Sequence, residues 1–515
     1  MNEEREFISI VDYGSQYTQL IARRIREKHV FCKIVPCSAP LDAICGSGLK
    51  GIVLSGGPNS VFAEGAPGVD PALFESGVPV LGICYGMQLM AQTLGGTVEP
   101  GAKREYGSTP VKISEAAPLF AGMGESFTAW MSHGDRVASL PPGFKTAASS
   151  ASCPAVAMKN DARRLYAIQF HPEVAHTQFG GRIIENFLFG ICGCSGDWKM
   201  SSWIERSVAA LRERIGDGEV LLGLSGGVDS SVVAALLDRA IGRRLHCIFV
   251  DNGLLRWHEA EEISAMFGGR FSLDLRIVRA ADRFYKALAG ITDPELKRKA
   301  VGREFVAVFT EEARRFSSCR FLAQGTIYPD VVESSNATGA VSHTIKSHHN
   351  VGGLPPDLKF ELVEPLRDLF KDEVRAVGRE LGLDADFIDR QPFPGPGLSV
   401  RIVGEVTPER VHLLQQADVR VQEEMRRLPG WKSIWQSFAV LLPVRTVGVM
   451  GDCRTYENVC ALRCVDSQDA MTADWTRLPY ETLATISRRI TNEVRGINRV
   501  VYDITSKPPS TIEWE

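Results

Sequence analysis

The sequence predicts an α/β protein: two consecutive, mostly parallel-sheet α/β domains followed by a small α+β domain. Three observations carry this. In the first third, short apolar runs alternate with helix-like stretches, and the runs end in glycine-containing turns. The same order of strand, glycine-rich loop and helix returns around residues 220–237. Beyond the proline-rich stretch 389–398 the pattern changes to two long helical segments interleaved with apolar strands.

The length of 515 residues corresponds to roughly three domains. Hydrophobic residues make up 44% and charged residues 23%, which suits a globular chain with a substantial core. A net charge of -4 argues against a partner bound by bulk attraction to nucleic acid. The twelve cysteines repeat no spacing, and Cys192-Gly193-Cys194 lacks the second pair a zinc site needs. Reduced thiols in a cytoplasmic protein are therefore expected. The charged opening Met1-Asn2-Glu3-Glu4-Arg5-Glu6 is unlike a signal peptide, and no run of 18 apolar residues is present to span a membrane.

Residues 7–12, 51–54 and 78–83 read as strands, with helices over 19–26 and 87–94 and a stop at Gly95-Gly96. Gly82-Ile83-Cys84-Tyr85-Gly86 has the form of a nucleophile elbow, a tight strand-to-helix turn that would lift Cys84 into the open. A helix N-terminus behind it would favour the thiolate. The alternative for Cys84 is a buried core cysteine. The strand 165–170 runs into His171-Pro172-Glu173. In extended backbone, residues two apart point the same way, so His171 could meet Cys84 while Glu173 orients the imidazole.

With this elbow and His-Pro-Glu, residues 1 to about 190 resemble a class I glutamine amidotransferase. The resemblance implies a domain over 1–193 with a catalytic triad of Cys84, His171 and Glu173. It implies an oxyanion loop at Ser55-Gly56-Gly57-Pro58, with donors from Gly57 and Tyr85, and a glutamine pocket at Gln88. The implied reaction is thiolate attack on the glutamine amide, loss of ammonia, and hydrolysis of the thioester.

Gly193 to Met200 reads as a linker, and 203–214 as a helix. Ser225-Gly226-Gly227-Val228-Asp229-Ser230 sits between an apolar run and a helix, a geometry that aims backbone N–H groups and a helix dipole at phosphate. It lacks the Gly-Lys-Ser/Thr of a Walker A loop and resembles the PP-loop of ATP pyrophosphatases. A domain over 200–394 is expected, with strands at 245–253 and 321–326. The superfamily implies ATP held by the loop and Mg2+ with it, adenine and ribose meeting Val250 and Leu254. Gly325 would leave room for the nucleotide at a strand end. Asp330 and Glu333 could hold the metal through water or could cap the adjoining segment, so the metal ligands stay unassigned. The polar stretch 335–357 reads as a lid, with Lys346 closing over the phosphates and His348 and His349 gating.

In the last third, helices are expected over 408–428 and 480–494, and strands over 438–450, 458–464 and 499–505. Residues 391–398, Gly451-Asp452-Cys453-Arg454-Thr455-Tyr456 and the tail from Ser506 are similar to the GMP synthetase family. That resemblance covers essentially the whole chain. It implies glutamine, ATP and XMP as substrates and a 395–515 module for XMP binding and homodimerisation, with Arg298, Lys507 and Glu513 near XMP. Another PP-loop amidotransferase, such as an NAD or asparagine synthetase, and a non-catalytic nucleotide-sensing scaffold are the alternatives.

Overall fold

A computed structural model describes residues 5–115, 117–269, 271–336, 360–450, 453–467 and 472–515. They fall into two compact units, Met1–Ser202 and Trp203–Glu515. The expected fold class is the one observed.

The first unit is built on nine strands. They are β1 (Phe7–Asp12), β2 (Cys32–Pro36), β3 (Leu49–Leu54), β4 (Val80–Ile83), β5 (Thr97–Ile113), β6 (Ser126–Ser139), β7 (Lys145–Ser149), β8 (Ala157–Asn160) and β9 (Leu165–Ile168). Their order is β2-β1-β3-β4-β9-β8-β7-β5-β6. The half from β2 to β9 is parallel. There β4 and β9 are buried at every position, and β1 at all but its last, because helices cover both faces. Ile52, Leu54, Val80, Met87, Met90 and Leu165 form part of that core. The other half is antiparallel. β6 buries Phe127, Ala129 and Met131 at alternate positions, so only one of its faces meets the core.

The second unit opens with a wholly parallel sheet of β10 (Glu219–Leu224), β11 (Leu245–Asp251), β12 (Asp274–Arg279), β13 (Cys319–Ala323) and β14 (Glu361–Val363). The order is β12-β11-β10-β13-β14. A second sheet comes after it. In it β15 (Gln436–Met450) pairs antiparallel with β16 (Cys453–Asp466), which also pairs with β17 (Asp474–Trp475) and, in parallel, with β18 (Ile497–Tyr502). The helices Pro408–Arg427 and Tyr480–Glu493 flank it.

One hydrophobic core joins the two sheets. It runs from Leu221, Ile248 and Leu322 to Leu414, Leu441, Leu462 and Ile486. Residues 200–394 and 395–515 therefore share an interior across the proline-rich stretch. Among the described residues no helix is long and apolar enough to cross a membrane.

Candidate active sites

β4 delivers the chain to Cys84, which takes a left-handed φ of 53° before the helix Tyr85–Thr93 begins. Positive φ in a non-glycine residue is strained, and at a strand-to-helix turn it matches the form expected of a nucleophile elbow. The flanking glycines serve packing rather than torsion. A Cβ on Gly82 would lie 2.7 Å from the Gly86 carbonyl oxygen, and one on Gly86 would fall on Leu54. The Gly86 N–H also donates to the Ser55 carbonyl at 3.1 Å, fastening elbow to loop.

Cys84 is not in the open, as the elbow alone suggested; it is only 7% exposed. Its thiol donates to the Ser132 carbonyl at 3.7 Å and accepts from Gln169 Nε2 at 3.7 Å. The antiparallel arm folds over the elbow, a long-range packing that the turn sequence does not encode.

β9 ends at Ile168, short of the expected 170, so His171 lies in irregular backbone and Glu173 in a bend rather than on an extended continuation of the strand. They meet nonetheless: His171 Nδ1 and Glu173 Oε1 are 2.7 Å apart, both buried. The Tyr17 ring packs edge-on against the imidazole with centroids 5.0 Å apart. A Cβ at Gly56 would touch both His171 Cε1 (3.3 Å) and Cys84 Cβ (3.7 Å), so these three residues converge. Burial opposes a charge on His171, but Glu173 and Cys84 outweigh it and hold the imidazole well above its ordinary pKa.

Among the described residues, the N–H groups of Gly57 and Tyr85 donate to no protein acceptor. Gln88 is buried and its amide donates to the Asp135 carbonyl at 3.0 Å. His133 lies on the same arm, 3.0 Å from Glu105 Oε2, and burial pushes its pKa down against the pull of Glu105. No motif in the sequence singles out Ser132, His133 and Asp135. The signal that could have found their strand is the apolar spacing of two in Phe127, Ala129 and Met131 just before them.

In the second unit, Ser225-Gly226-Gly227 connects β10 to the helix Val228–Ile241. Gly226 has φ 74°, where a side chain would be strained. Ser230 Oγ receives the Ser225 N–H at 3.2 Å and lies 3.0 Å from Ser225 Oγ, so the loop is closed on itself. Asp229 is paired at 2.6 Å with Lys371, the first residue of the helix Lys371–Glu380.

Lys371 is likewise invisible to sequence patterns; it stands 142 positions away with no motif around it. Gly325 backs directly onto the loop: a Cβ there would lie 3.2 Å from the Ser230 nitrogen. The space it leaves is filled by the loop. Val250 and Leu254 lie in the hydrophobic core. Asp330 accepts the Ile327 N–H at 3.2 Å, a capping contact at the start of the helix Tyr328–Asn336. Lys346, His348 and His349 lie outside the described residues, as does the Glu333 side chain.

The C-terminal tail is docked by cations. Glu513 is held by Arg401 through two bonds of 3.0 and 2.8 Å. Arg463, fully buried, donates to the carbonyls of Thr505, Thr511 and Ile512. Arg298 donates to the Glu515 carbonyl, while its neighbour Lys297 is buried with its ammonium on Glu515 Oε2 and, at 2.7 Å, the Ile402 carbonyl. Burial lowers the Lys297 pKa despite Glu515. Lys507 bridges Ala473 through backbone hydrogen bonds. Glu513 thus belongs to a docked tail with Lys507 at its start, and Arg298, on the helix Pro294–Ala313, is one of the groups that hold it.

Comparison with known proteins finds three family matches along the chain. Residues 9–191 match the glutamine amidotransferase class-I family, 200–261 the NAD synthase family and 423–514 the GMP synthase C terminal domain. The glutamine-hydrolyzing GMP synthase of Brachyspira hyodysenteriae is 55% identical over 515 residues, 100% of both chains. That of Maridesulfovibrio salexigens is 56% identical over 510 residues, 99% of each chain. That of Caldanaerobacter subterraneus subsp. tengcongensis is 56% identical over 515 residues, 100% of each. With identity at this level carried along its entire length, the chain belongs to the glutamine-hydrolysing GMP synthase family.

Proposed function

We propose that this chain makes GMP from XMP, using glutamine as the source of ammonia and ATP as the activating agent. The observation that carries the reading is the end-to-end similarity to GMP synthases in a chain holding both the Cys84–His171–Glu173 cluster and the glycine loop at 225–230. In this reading Cys84 attacks the glutamine amide after giving its proton to His171. Glu173 supports the imidazolium that results. The unengaged N–H groups of Gly57 and Tyr85 receive the oxyanion. His171 returns the proton to the departing ammonia, and water hydrolyses the thioester. Gln88, tied to the arm, shapes the glutamine pocket.

In the second unit the Gly226 N–H and the N-terminus of the helix beginning with Val228, Asp229 and Ser230 face the outer phosphates of ATP, while the Ser225 and Gly227 N–H groups, held on the loop's own hydroxyls, fix its shape. Attack by the XMP C2 oxygen on the inner phosphate expels pyrophosphate. Ammonia then displaces AMP from C2, because AMP leaves far more readily than an oxygen of the ring. Lys371 adds positive charge where pyrophosphate develops. Val250 forms a wall for the purine of ATP, while Leu254 and Gly325 support that wall and the loop. Lys346 closes over the phosphates. Arg298, Lys507 and Glu513 bind XMP through the docked tail.

The carboxylate of Asp229, paired with Lys371 at 2.6 Å, is a hard oxygen donor that suits Mg2+. Asp229 would hold the ion with the phosphates, and the ion would spread the charge of the leaving group. The twelve cysteines are all free, which supports a cytoplasmic setting.

Homodimerisation through the last module is supported by exposed apolar residues on the β15–β16 hairpin. Val447 and Val449 are 52% and 75% exposed, and Tyr456, opposite Val447, is 62% exposed.

The test is product formation with ATP and XMP. Cys84→Ala should lose glutamine-dependent GMP synthesis and keep synthesis from added ammonium. Failure to form GMP from either nitrogen source by the unsubstituted protein would overturn the reading.

A further inference from the structure

The parallel sheet of the second unit has two ends. The carboxyl ends of β10 and its neighbours carry the glycine loop. At the opposite end, three potential metal ligands converge from three adjacent strands. Glu219 opens β10, Cys319 opens β13, and His246 is the second residue of β11. Glu219 and Cys319 are direct register partners. One ligand atom from each of Glu219, His246 and Cys319 lies within 4.8 Å of the other two. His246 Nε2 stands 3.7 Å from Glu219 Oε2. Neighbouring ligands of a tetrahedral zinc ion are roughly 3.3–3.8 Å apart, given bonds of about 2.0–2.3 Å. The Glu219–His246 separation of 3.7 Å is already within that range.

The surroundings fit a metal site beyond the three donors. His246 Nδ1 is 3.0 Å from Asp274 Oδ2, so Nδ1–H donates to that carboxylate and the Nε2 lone pair is left on the side of Glu219. A carboxylate behind a ligating imidazole is the usual way its tautomer and orientation are fixed. The Phe316 ring lies on the imidazole with centroids 5.0 Å apart, supplying an apolar wall. Ser318 Oγ donates to Glu219 Oε2 and steadies that carboxylate. Cys319 itself is buried.

We propose that Glu219, His246 and Cys319 bind a borderline divalent cation of the zinc class, with water in a fourth position. Sulfur, nitrogen and oxygen donors together favour zinc over magnesium or calcium, which take oxygen sets. On binding, the Cys319 thiol releases its proton to solvent and the sulfur bonds the metal; no oxidation occurs. The ion ties β11, β10 and β13 together at the end of the sheet away from the nucleotide loop. It serves the fold and the setting of β10, and takes no part in adenylation.

The test uses the full-length protein, stripped with chelator and titrated with cobalt(II) as a visible probe. One equivalent should produce a thiolate-to-cobalt charge-transfer band with tetrahedral visible bands, and added zinc should bleach both. Cys319→Ser should abolish the charge-transfer band. Asp274→Asn should keep the band but weaken binding about 10–100-fold. Zinc should raise the melting temperature of the unsubstituted chain and not of Cys319→Ser. Should Cys319→Ser fold poorly, Glu219→Gln, at a part-exposed position, should weaken cobalt binding at least tenfold. No charge-transfer band, or a band unchanged by Cys319→Ser, would overturn the proposal, since the chain has eleven other thiols to supply one.

Discussion

Replacing Glu173 by glutamine tests the proposed amide-hydrolysing site at a fully buried contact. The carboxylate has no solvent exposure and lies 2.7 Å from His171 Nδ1. At an effective dielectric near 20, charges at that separation attract by about 6 kcal/mol. That is the gross attraction available to an imidazolium as Cys84 gives up its proton. The amide keeps the shape and one hydrogen bond but removes the charge, so the net loss is smaller. A fall of about 10^3–10^4-fold in glutamine hydrolysis is expected, comparable to the same change in other triads.

The pH dependence should move as well. Burial opposes the His171 proton, and Glu173 and Cys84 hold it in place. Without the carboxylate the proton should leave at lower pH, read from the pH profile of Cys84 alkylation. Because the folded pKa is raised, the stability that His171 contributes is fully present below about pH 6.5, the unfolded value, and is lost as pH rises through the folded value. Synthesis from added ammonium should be unaffected by Glu173→Gln. Glutamine hydrolysis reduced less than tenfold would refute the triad and reduce Glu173 to a structural neighbour.

Lys371→Ala should slow AMP formation from ATP and XMP by about 10^2–10^3-fold, the usual effect of removing one charged contact to a developing anion, with glutamine hydrolysis unchanged. Equal AMP formation by both proteins would confine Lys371 to pairing with Asp229. Val449→Asp should shift the sedimenting species from dimer toward monomer, because it sets a charge in the exposed apolar patch of the β15–β16 hairpin. An unsubstituted chain that sediments as a monomer would remove the dimer from the account.

Much of both sites is legible in the sequence because their parts are local. The elbow, the glycine loop and the first strand of each unit are contiguous strings whose residues must meet one another. Gly82 and Gly86 illustrate this: the turn brings their backbones against Leu54 and each other, where no Cβ fits. The pairing of His171 with Glu173 is also expected, but from an extended backbone that the chain does not adopt there. β9 stops at Ile168, and the bends beyond it bring the side chains together by another path. The arm of β5 and β6 is hard to see because β5 carries glycine, proline and charge through its length, composition that weakens a strand signal.

The sequence by itself determined the fold class, the order of the modules and the residues that make each turn, since these depend on contacts between near neighbours and on steric limits of the backbone. Tertiary structure alone decided what surrounds those turns. It covered Cys84 with Ser132 and Gln169, tied Gln88 to Asp135, brought Lys371 to Asp229, and laid the tail against Lys297, Arg401 and Arg463. Each of these is a contact between a side chain and a group far away along the chain. Its partner is chosen by how helices and sheets pack, and no local pattern records that choice.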